Sequence, residues 1–232
     1  MNEQKSSEIT KGITKRLPFK GVIFDMDGTL LESTEADYKA WEKVFNDYGK
    51  KLSFGDYVPL LGIRSADVIK DHIGITGEED VKRILKEKFN YFVEYVNAYP
   101  IIAVEGAEDF LKSLSRFDVK IGLATSSRKE KMKMVLESLN FLQYFDTIVT
   151  GEEVANSKPA PDIFLMAAER LGLSADDCLV FEDGPVGVAA AKNARMKCIA
   201  ITETHPAEKL HLADFIIDTY TGVDLAELCA KL

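Results

Sequence analysis

Cysteine is scarce in this chain of 232 residues, and its three copies, Cys178, Cys198 and Cys229, lie far apart. Their number is odd, and their spacing matches neither a disulfide framework nor a zinc site. Two of them lie in apolar runs typical of strands, where cysteine serves as a small buried side chain. We therefore expect reduced thiols and a cytoplasmic protein.

Long apolar runs are missing as well. No segment approaches the roughly 20 apolar residues of a membrane-spanning helix. The first 18 residues are polar, contain several lysines and lack the apolar core of a signal peptide. We expect residues 1–18 to form a loosely docked N-terminal tail and the protein to have no membrane partner.

An excess of positive charge is also missing, because 38 acidic residues outnumber 29 basic ones and the net charge is −9. This balance argues against general affinity for nucleic acid, which depends on basic patches. The 46% apolar content is enough for a proper core, and 29% charged residues are typical of a soluble protein. We expect a monomer or a weak dimer.

Two closely spaced acids follow an apolar run near the start of the chain. Gly21–Phe24 is typical of a buried parallel strand, and Asp25 and Asp27 come directly after it. Open α/β sheets bind ligands at the carboxyl ends of their strands. Asp25 could attack phosphorus as a nucleophile, and Asp27 could transfer protons as a general acid and base. The alternative is an ordinary acidic turn, since Asp and Gly are common turn residues.

Three later stretches carry further polar groups beside predicted strands. Thr125 and Ser126 end an apolar run and could hold phosphate oxygens, although a helix cap would look similar. Lys158 lies between a strand-like run and a helix that Pro161 could start, and it could neutralise a phosphoryl group, with a solvated loop lysine as the alternative. Glu182 and Asp183 end another apolar run. With Asp25 and the Asp27 carbonyl, they could bind Mg²⁺.

Strand-like runs alternate with amphipathic helices after residue 118, which predicts a parallel sheet between helical layers. Residues 53–98 show mostly helical patterns and no obvious strand, so a helical insert separates the first strand from the others. The predicted later strands are residues 119–125, 147–150, 178–181, 197–201 and 214–218, followed by a closing helix over residues 225–232.

These stretches resemble the four motifs of the haloacid dehalogenase-like (HAD) hydrolase superfamily. Residues 24–30, Phe-Asp-Met-Asp-Gly-Thr-Leu, resemble motif I, and the stretches around Thr125, Lys158 and Glu182-Asp183 resemble motifs II, III and IV. The resemblance implies an α/β fold with a Rossmann-like parallel three-layer core, residues 19–33 and 99–232, and an inserted helical cap, residues 34–98. It also implies a phosphoaspartate mechanism.

Within the superfamily, the chain resembles β-phosphoglucomutase and sugar-phosphate phosphatases. Many of these relatives have histidine where this chain has Asp37, and in mutases that histidine couples cap closure to proton chemistry. Arg64 resembles a substrate contact of the cap, although the arginine of mutases aligns with Ser65. Lys88 resembles a substrate lysine, but we favour the interpretation that it is an ordinary solvated charge.

The sequence therefore predicts a Mg²⁺-dependent phosphatase of small phosphorylated metabolites, most plausibly sugar phosphates. The predicted acids are Asp25 and Asp27, and the phosphate clamp consists of Thr125, Ser126 and Lys158. The first alternative is a phosphomutase that retains a bisphosphate intermediate. The second is a non-enzymatic sensor of a phosphorylated metabolite, which ranks last because both acids are present.

Overall fold

The computed structural model describes residues 17–232. The predicted N-terminal tail therefore lies outside the described residues, except for Leu17 and Pro18. In the part of the chain that is described, every helix is too short or too polar to span a bilayer.

Among residues 17–232, six parallel strands form one sheet with the order β3-β2-β1-β4-β5-β6. The first strand coincides with the apolar run near the start of the chain. The other five fall on the later apolar runs that the sequence predicts, within one or two residues at each end. The strands are β1 (Gly21–Phe24), β2 (Lys120–Thr125), β3 (Thr147–Thr150), β4 (Cys178–Glu182), β5 (Lys197–Ile201) and β6 (Phe215–Ile217).

The strand order reverses between β1 and β4. From β1 the chain adds strands in one direction, and from β4 it adds them in the other. Such a reversal opens a crevice at the carboxyl ends of the two central strands, where α/β proteins bind their ligands. Phe24 and Phe181 are paired in register, so the residues that follow them, Asp25 and Glu182, meet at this crevice.

Helices cover both faces of the sheet, which confirms the predicted three layers. The alternation of side chains along β1 places Val22 and Phe24 in one buried cluster and Ile23 in the other. The first cluster also takes in α5 (Ala107–Leu114), α6 (Lys129–Ser138) and α9 (Leu225–Cys229), and the second takes in α7 (Asp162–Leu171) and α8 (Pro185–Asn193).

The insert between β1 and β2 is helical, as predicted. Its α-helices are α1 (Thr34–Asp47), α2 (Phe54–Tyr57), α3 (Ser65–Val68) and α4 (Glu78–Ala98), with a π-helical turn at Ile69–Ile73. A short 3-10 turn lies in the insert at Val58–Leu60. Three others lie after β2, at Leu142–Tyr144, Ala175–Asp177 and Ala207–Lys209.

The insert has a buried cluster of its own around Trp41, Tyr57 and Ile84. We keep residues 34–98 as the proposed bounds of this cap, and residues 19–33 and 99–232 as those of the core.

Candidate active site

Asp25 and Lys158 form a buried ion pair at the carboxyl end of β1. Lys158 Nζ lies 2.6 Å from Asp25 Oδ1, and only 1% of the lysine side chain is exposed. The Asp25 N–H donates to the carbonyl of Phe181 on β4 at 2.9 Å, which fixes the first residue after β1 to the neighbouring strand. Because the side chain is buried against Asp25 and Glu182, the alternative of a solvated loop lysine does not apply.

Glu182 is the second partner of this lysine. Its Oε1 accepts from Lys158 Nζ at 2.7 Å. Its Oε2 accepts the backbone N–H groups of Asp183 and Gly184 at 2.8 and 2.9 Å. One carboxylate oxygen is paired with the ammonium of Lys158, which holds the place of a cation, and the other accepts two backbone N–H groups, so this geometry does not support the predicted role of Glu182 as a metal ligand. The side chain instead holds Lys158 against Asp25.

Asp183 is buried beside the tight turn that follows Asp27. Its Oδ1 accepts from the Thr29 hydroxyl at 2.9 Å, and its Oδ2 accepts from the Thr204 hydroxyl. A Cβ on Gly28 would lie 2.2 Å from Asp183 Oδ2, and the φ of Gly28 is +81°. Glycine is thus required at this position both for its conformation and for the approach of the carboxylate.

Negative charge exceeds positive charge at the crevice. Asp25, Glu182 and Asp183 are buried carboxylates, and Lys158 is the buried ammonium in contact with this group. Burial raises the pKa of Asp25 to about 7, with Lys158 opposing this shift. Burial, Glu182 and Asp25 raise the pKa of Asp183 well above its usual range.

The donor chemistry here fits a hard divalent cation, because such an ion would balance the surplus carboxylates and prefers oxygen ligands. Among residues 17–232, however, no three His, Cys, Asp or Glu side chains already converge as a metal site. Lys158 lies between Asp25 and Glu182 and contacts both carboxylates. Asp25 and Asp183 are the carboxylates that remain suitable for Mg²⁺.

Asp27 projects into a different environment from Asp25. Its carboxylate accepts from the hydroxyl of Ser33, from the hydroxyl of Ser127 at 2.6 Å, and from Lys131 Nζ at 2.8 Å. Ser33, Ser127 and Lys131 were not among the predicted site residues. Ser127 is the third hydroxyl of the predicted phosphate-binding run, and Ser33 precedes the first cap helix. Lys131 lies on α6, where the apolar pattern of the helix gives no sign of a buried lysine.

Lys88 is buried, so the favoured interpretation of an ordinary solvated charge is wrong. The residue is 8% exposed. Its Nζ lies 2.7 Å from Asp37 Oδ1 and 4.6 Å from the centre of the Trp41 ring. Asp37 Oδ1 also lies 3.1 Å from Lys131 Nζ, so one oxygen of the cap is shared between a cap lysine and a core lysine.

Thr125 and Ser126 line the same cavity as Asp25 and Asp27. The Thr125 hydroxyl oxygen accepts the N–H of Ser127 at 3.0 Å, which tightens the turn after β2. The Ser126 hydroxyl donates to the carbonyl of Gly62 in the cap at 2.7 Å. Both predicted phosphate-binding residues therefore lie at the crevice, and Ser126 also joins the core to the cap.

Arg64 does not reach this cavity. Its guanidinium forms a two-pronged ion pair with Asp67 at 3.0 Å for each contact. It also donates to the carbonyl of Val154 at 3.0 Å, which ties the cap to the core outside the crevice. The predicted contact between Arg64 and substrate has no support in this arrangement.

The cavity itself is small. Its volume is about 60 Å³, and cap residues such as Trp41, Tyr57 and Leu60 line it together with core residues. Pockets for small molecules usually measure about 300–1,000 Å³. The cap therefore lies against the core at the crevice and leaves little space between them.

Comparison with known proteins decides the family. Residues 22–201 match the model of the haloacid dehalogenase-like hydrolases. The chain belongs to this family. This HAD hydrolase is 30% identical over 189 residues to fructose-1-phosphate phosphatase YqaB of Escherichia coli, covering 79% of this chain and 96% of the relative.

A second relative of this HAD hydrolase is a mutase. Beta-phosphoglucomutase of Bacillus subtilis is 31% identical over 195 residues, with 81% of this chain and 85% of the relative covered. The crystal structure of beta-phosphoglucomutase from Clostridium difficile superposes with a TM-score of 0.83 at 26% identity, covering 92% of this chain and 96% of that one. These findings confirm the predicted superfamily and the predicted Rossmann-like fold.

Proposed function

We propose that this HAD hydrolase is a Mg²⁺-dependent phosphatase of small phosphorylated metabolites, in particular sugar phosphates, and that it works through a phosphoaspartate. The observation that carries the proposal is the pairing of Asp25 with Lys158 at the topological switch point, with Asp27 on the same cavity. The carboxylate of Asp25 is paired with the buried ammonium of Lys158. The carboxylate of Asp27 is held by two serine hydroxyls and a second lysine.

Asp25 is the proposed nucleophile. One of its oxygens forms a bond to phosphorus while the bond between phosphorus and the leaving oxygen breaks, which yields an acyl phosphate and the alcohol. Lys158 contacts Asp25 directly, so its ammonium neutralises charge on the attacking oxygen and on the transferred phosphoryl group. Glu182 positions that ammonium by accepting a second hydrogen bond from it.

Asp27 is the proposed general acid and base. It donates a proton to the leaving oxygen in the first step, because an alkoxide is a poor leaving group. In the second step it accepts a proton from the water that attacks phosphorus, which releases inorganic phosphate and restores Asp25. The hydroxyls of Ser33 and Ser127 donate hydrogen bonds to the Asp27 carboxylate and keep it at the wall of the cavity.

Asp25, Asp183 and the backbone carbonyl of Asp27 would hold Mg²⁺. The ion would supply charge neutralisation that lets a phosphate dianion approach the carboxylates of Asp25 and Asp183. Thr29 and Thr204 orient Asp183 for this purpose through hydrogen bonds to both of its oxygens. Thr125 and Ser126 contribute hydroxyl and backbone groups for the phosphate oxygens.

A reduced, cytoplasmic setting is part of the proposal. Cys178, Cys198 and Cys229 are buried as free thiols, and each has burial as the main cause of a raised pKa. Such thiols resist oxidation and have no role at the crevice.

A phosphomutase is the second candidate, because relatives by sequence and by structure carry that name. The presence of Asp37 at the position of the mutase histidine favours the phosphatase. A mutase must also hold a bisphosphate in two orientations, which requires cations for the second phosphate. Arg64, the predicted contact for such a group, is engaged by Asp67 and Val154.

One assay separates the two candidates. The enzyme is incubated with Mg²⁺ and β-glucose 1-phosphate, with and without a catalytic trace of glucose 1,6-bisphosphate, and both free phosphate and glucose 6-phosphate are measured. A panel of other sugar, polyol and nucleoside monophosphates is screened for phosphate release in parallel. Release of phosphate from several sugar phosphates supports the proposal, whereas formation of the isomer without net release of phosphate would establish the mutase.

A further inference from the structure

Asp37 lies between two buried ammonium groups at the part of the cavity formed by the cap. Its Oδ1 accepts from Lys88 at 2.7 Å and from Lys131 at 3.1 Å. Its Oδ2 accepts from the Tyr57 hydroxyl at 3.1 Å. The three charged side chains are each less than one-fifth exposed, so little water screens them.

The charges of this cluster are balanced. Lys131 has a second carboxylate partner in Asp27, so two lysines face two aspartates. In the described part of the chain, Lys88 and Lys131 are the cations that line the cavity, and both are paired. Burial acts to raise the pKa of Asp37, but Lys131 and Lys88 outweigh it and hold this pKa well below its usual range.

The arginines near the cavity, Arg64 and Arg128, are paired with acidic residues outside it. Arg64 is bound to Asp67, as described above. Arg128 pairs with Glu152 at 3.0 Å and with Glu130 at 3.4 Å. A second anionic group on a substrate would therefore meet the carboxylate of Asp37, with no cation left in the cavity to compensate for its charge.

We propose that Asp37 is a specificity-determining residue that restricts the site to phosphate monoesters with an uncharged, hydroxyl-bearing leaving group. Its carboxylate fills the place between two ammonium groups where a second phosphate or a carboxylate would bind. Hydroxyl groups suit this cluster because Asp37 accepts hydrogen bonds and Lys88 and Lys131 donate them. The inference rests on the proposed function and names its substrate class.

The test compares kcat/KM for fructose 1-phosphate with kcat/KM for fructose 1,6-bisphosphate, which differ by one phosphate on the same sugar. We expect the wild type to favour the monophosphate by at least about tenfold, since like charges repel in a poorly screened site. Asp37→Asn keeps the shape but removes the charge, so it should lower this ratio by at least about tenfold. Asp47→Asn, on the same helix but bound to Tyr91 at the surface, is the matched control and should leave the ratio unchanged.

A second variant covers the case in which Asp37→Asn fails to fold. Lys131→Met removes one ammonium and leaves Asp37 in place, so the preference for the monophosphate should increase. Because each ratio compares two substrates of one variant, any loss of chemistry common to both substrates cancels. Equal use of the two substrates by the wild type, or an unchanged ratio in both variants, would overturn the inference.

The same measurements distinguish a failure of the proposed phosphatase function from a failure of the proposed role of Asp37. Release of phosphate from any of these esters supports the phosphatase, whatever the ratio. If none is hydrolysed, calorimetric titration of the wild type with the two sugar phosphates measures the same preference as a ratio of dissociation constants. Tighter binding of the bisphosphate would contradict the role of Asp37, and tighter binding of the monophosphate would support it.

Discussion

Two carboxylates that are two residues apart have different surroundings in this protein. Asp25 is buried against the ammonium of Lys158, whereas Asp27 accepts from two serine hydroxyls and from Lys131. Environments that differ in this way are how enzymes assign separate roles to neighbouring acids. The proposed nucleophile lies against the buried lysine, and the proposed proton-transfer group lies among hydroxyl groups and Lys131.

Replacing Asp25 with Asn should abolish turnover and leave the fold intact. The amide cannot form the acyl phosphate, and the change creates no cavity at the end of β1. We expect kcat for sugar phosphates to fall by at least about 10³-fold, with an unchanged circular dichroism spectrum. Asp177→Asn, an exposed partner of Lys20, is the control. Near-normal phosphate release by Asp25→Asn would remove Asp25 from the mechanism.

Replacing Asp27 with Asn should affect substrates according to their leaving groups. General acid catalysis contributes about 10²–10⁴-fold, and a sugar alkoxide needs the proton whereas p-nitrophenolate hardly does. The loss in kcat/KM should therefore be far larger for fructose 1-phosphate than for p-nitrophenyl phosphate. Equal losses on the two substrates would argue against proton transfer by Asp27.

At the scale of elements, the start of α8 determines where Glu182 lies. A Cβ on Gly187 would come within 1.6 Å of Glu182 Oε1, whereas a Cβ on Gly184 would have only an ordinary contact of 3.7 Å with Oε2. Two glycines three residues apart thus have different constraints.

Gly187→Ala should displace Glu182 and, through it, Lys158. A misplacement of about 1 Å can cost about 10²-fold in rate, so we expect kcat/KM to fall by that order. Gly184→Ala is the matched control and should retain activity. The measurement is kcat/KM for both variants beside their unfolding midpoints in urea. Equal activity of the two variants would show that Glu182 does not position the lysine.

The strands and the four groups at their ends could be predicted from the sequence because they depend on local patterns. An apolar run that ends in Asp25 or Glu182 is visible in consecutive residues. The cluster of Asp37, Lys88 and Lys131 could not be predicted, since its members come from two cap helices and a core helix that meet only after folding. The partners of Arg64 could not be predicted for the same reason, since its side chain pairs with Asp67 and donates to the carbonyl of Val154.

For the whole molecule, the surplus of buried carboxylates links metal binding to stability. A cation that binds the folded crevice and not the unfolded chain stabilises the fold by mass action, by about 2.7 kcal/mol at 100 times its dissociation constant. For a chain of this size this corresponds to roughly 5–10 °C in Tm.

Mg²⁺ should therefore raise the Tm of the wild type in differential scanning calorimetry. The rise should be largely lost in Asp183→Asn and retained in Asp177→Asn, which removes an exposed carboxylate outside the crevice. A Tm that does not respond to Mg²⁺ in the wild type would contradict the proposed metal site.

Chemical trapping tests directly whether Asp25 becomes covalently phosphorylated during turnover. Borohydride reduces an acyl phosphate, but not a free carboxylate, to the alcohol, so an aspartyl phosphate is converted to homoserine. The enzyme is mixed with Mg²⁺ and its best sugar phosphate, quenched, reduced and analysed by peptide mass spectrometry. We expect homoserine at position 25 only when substrate is present. Unmodified Asp25 in samples that turn over, or homoserine at another aspartate, would contradict it.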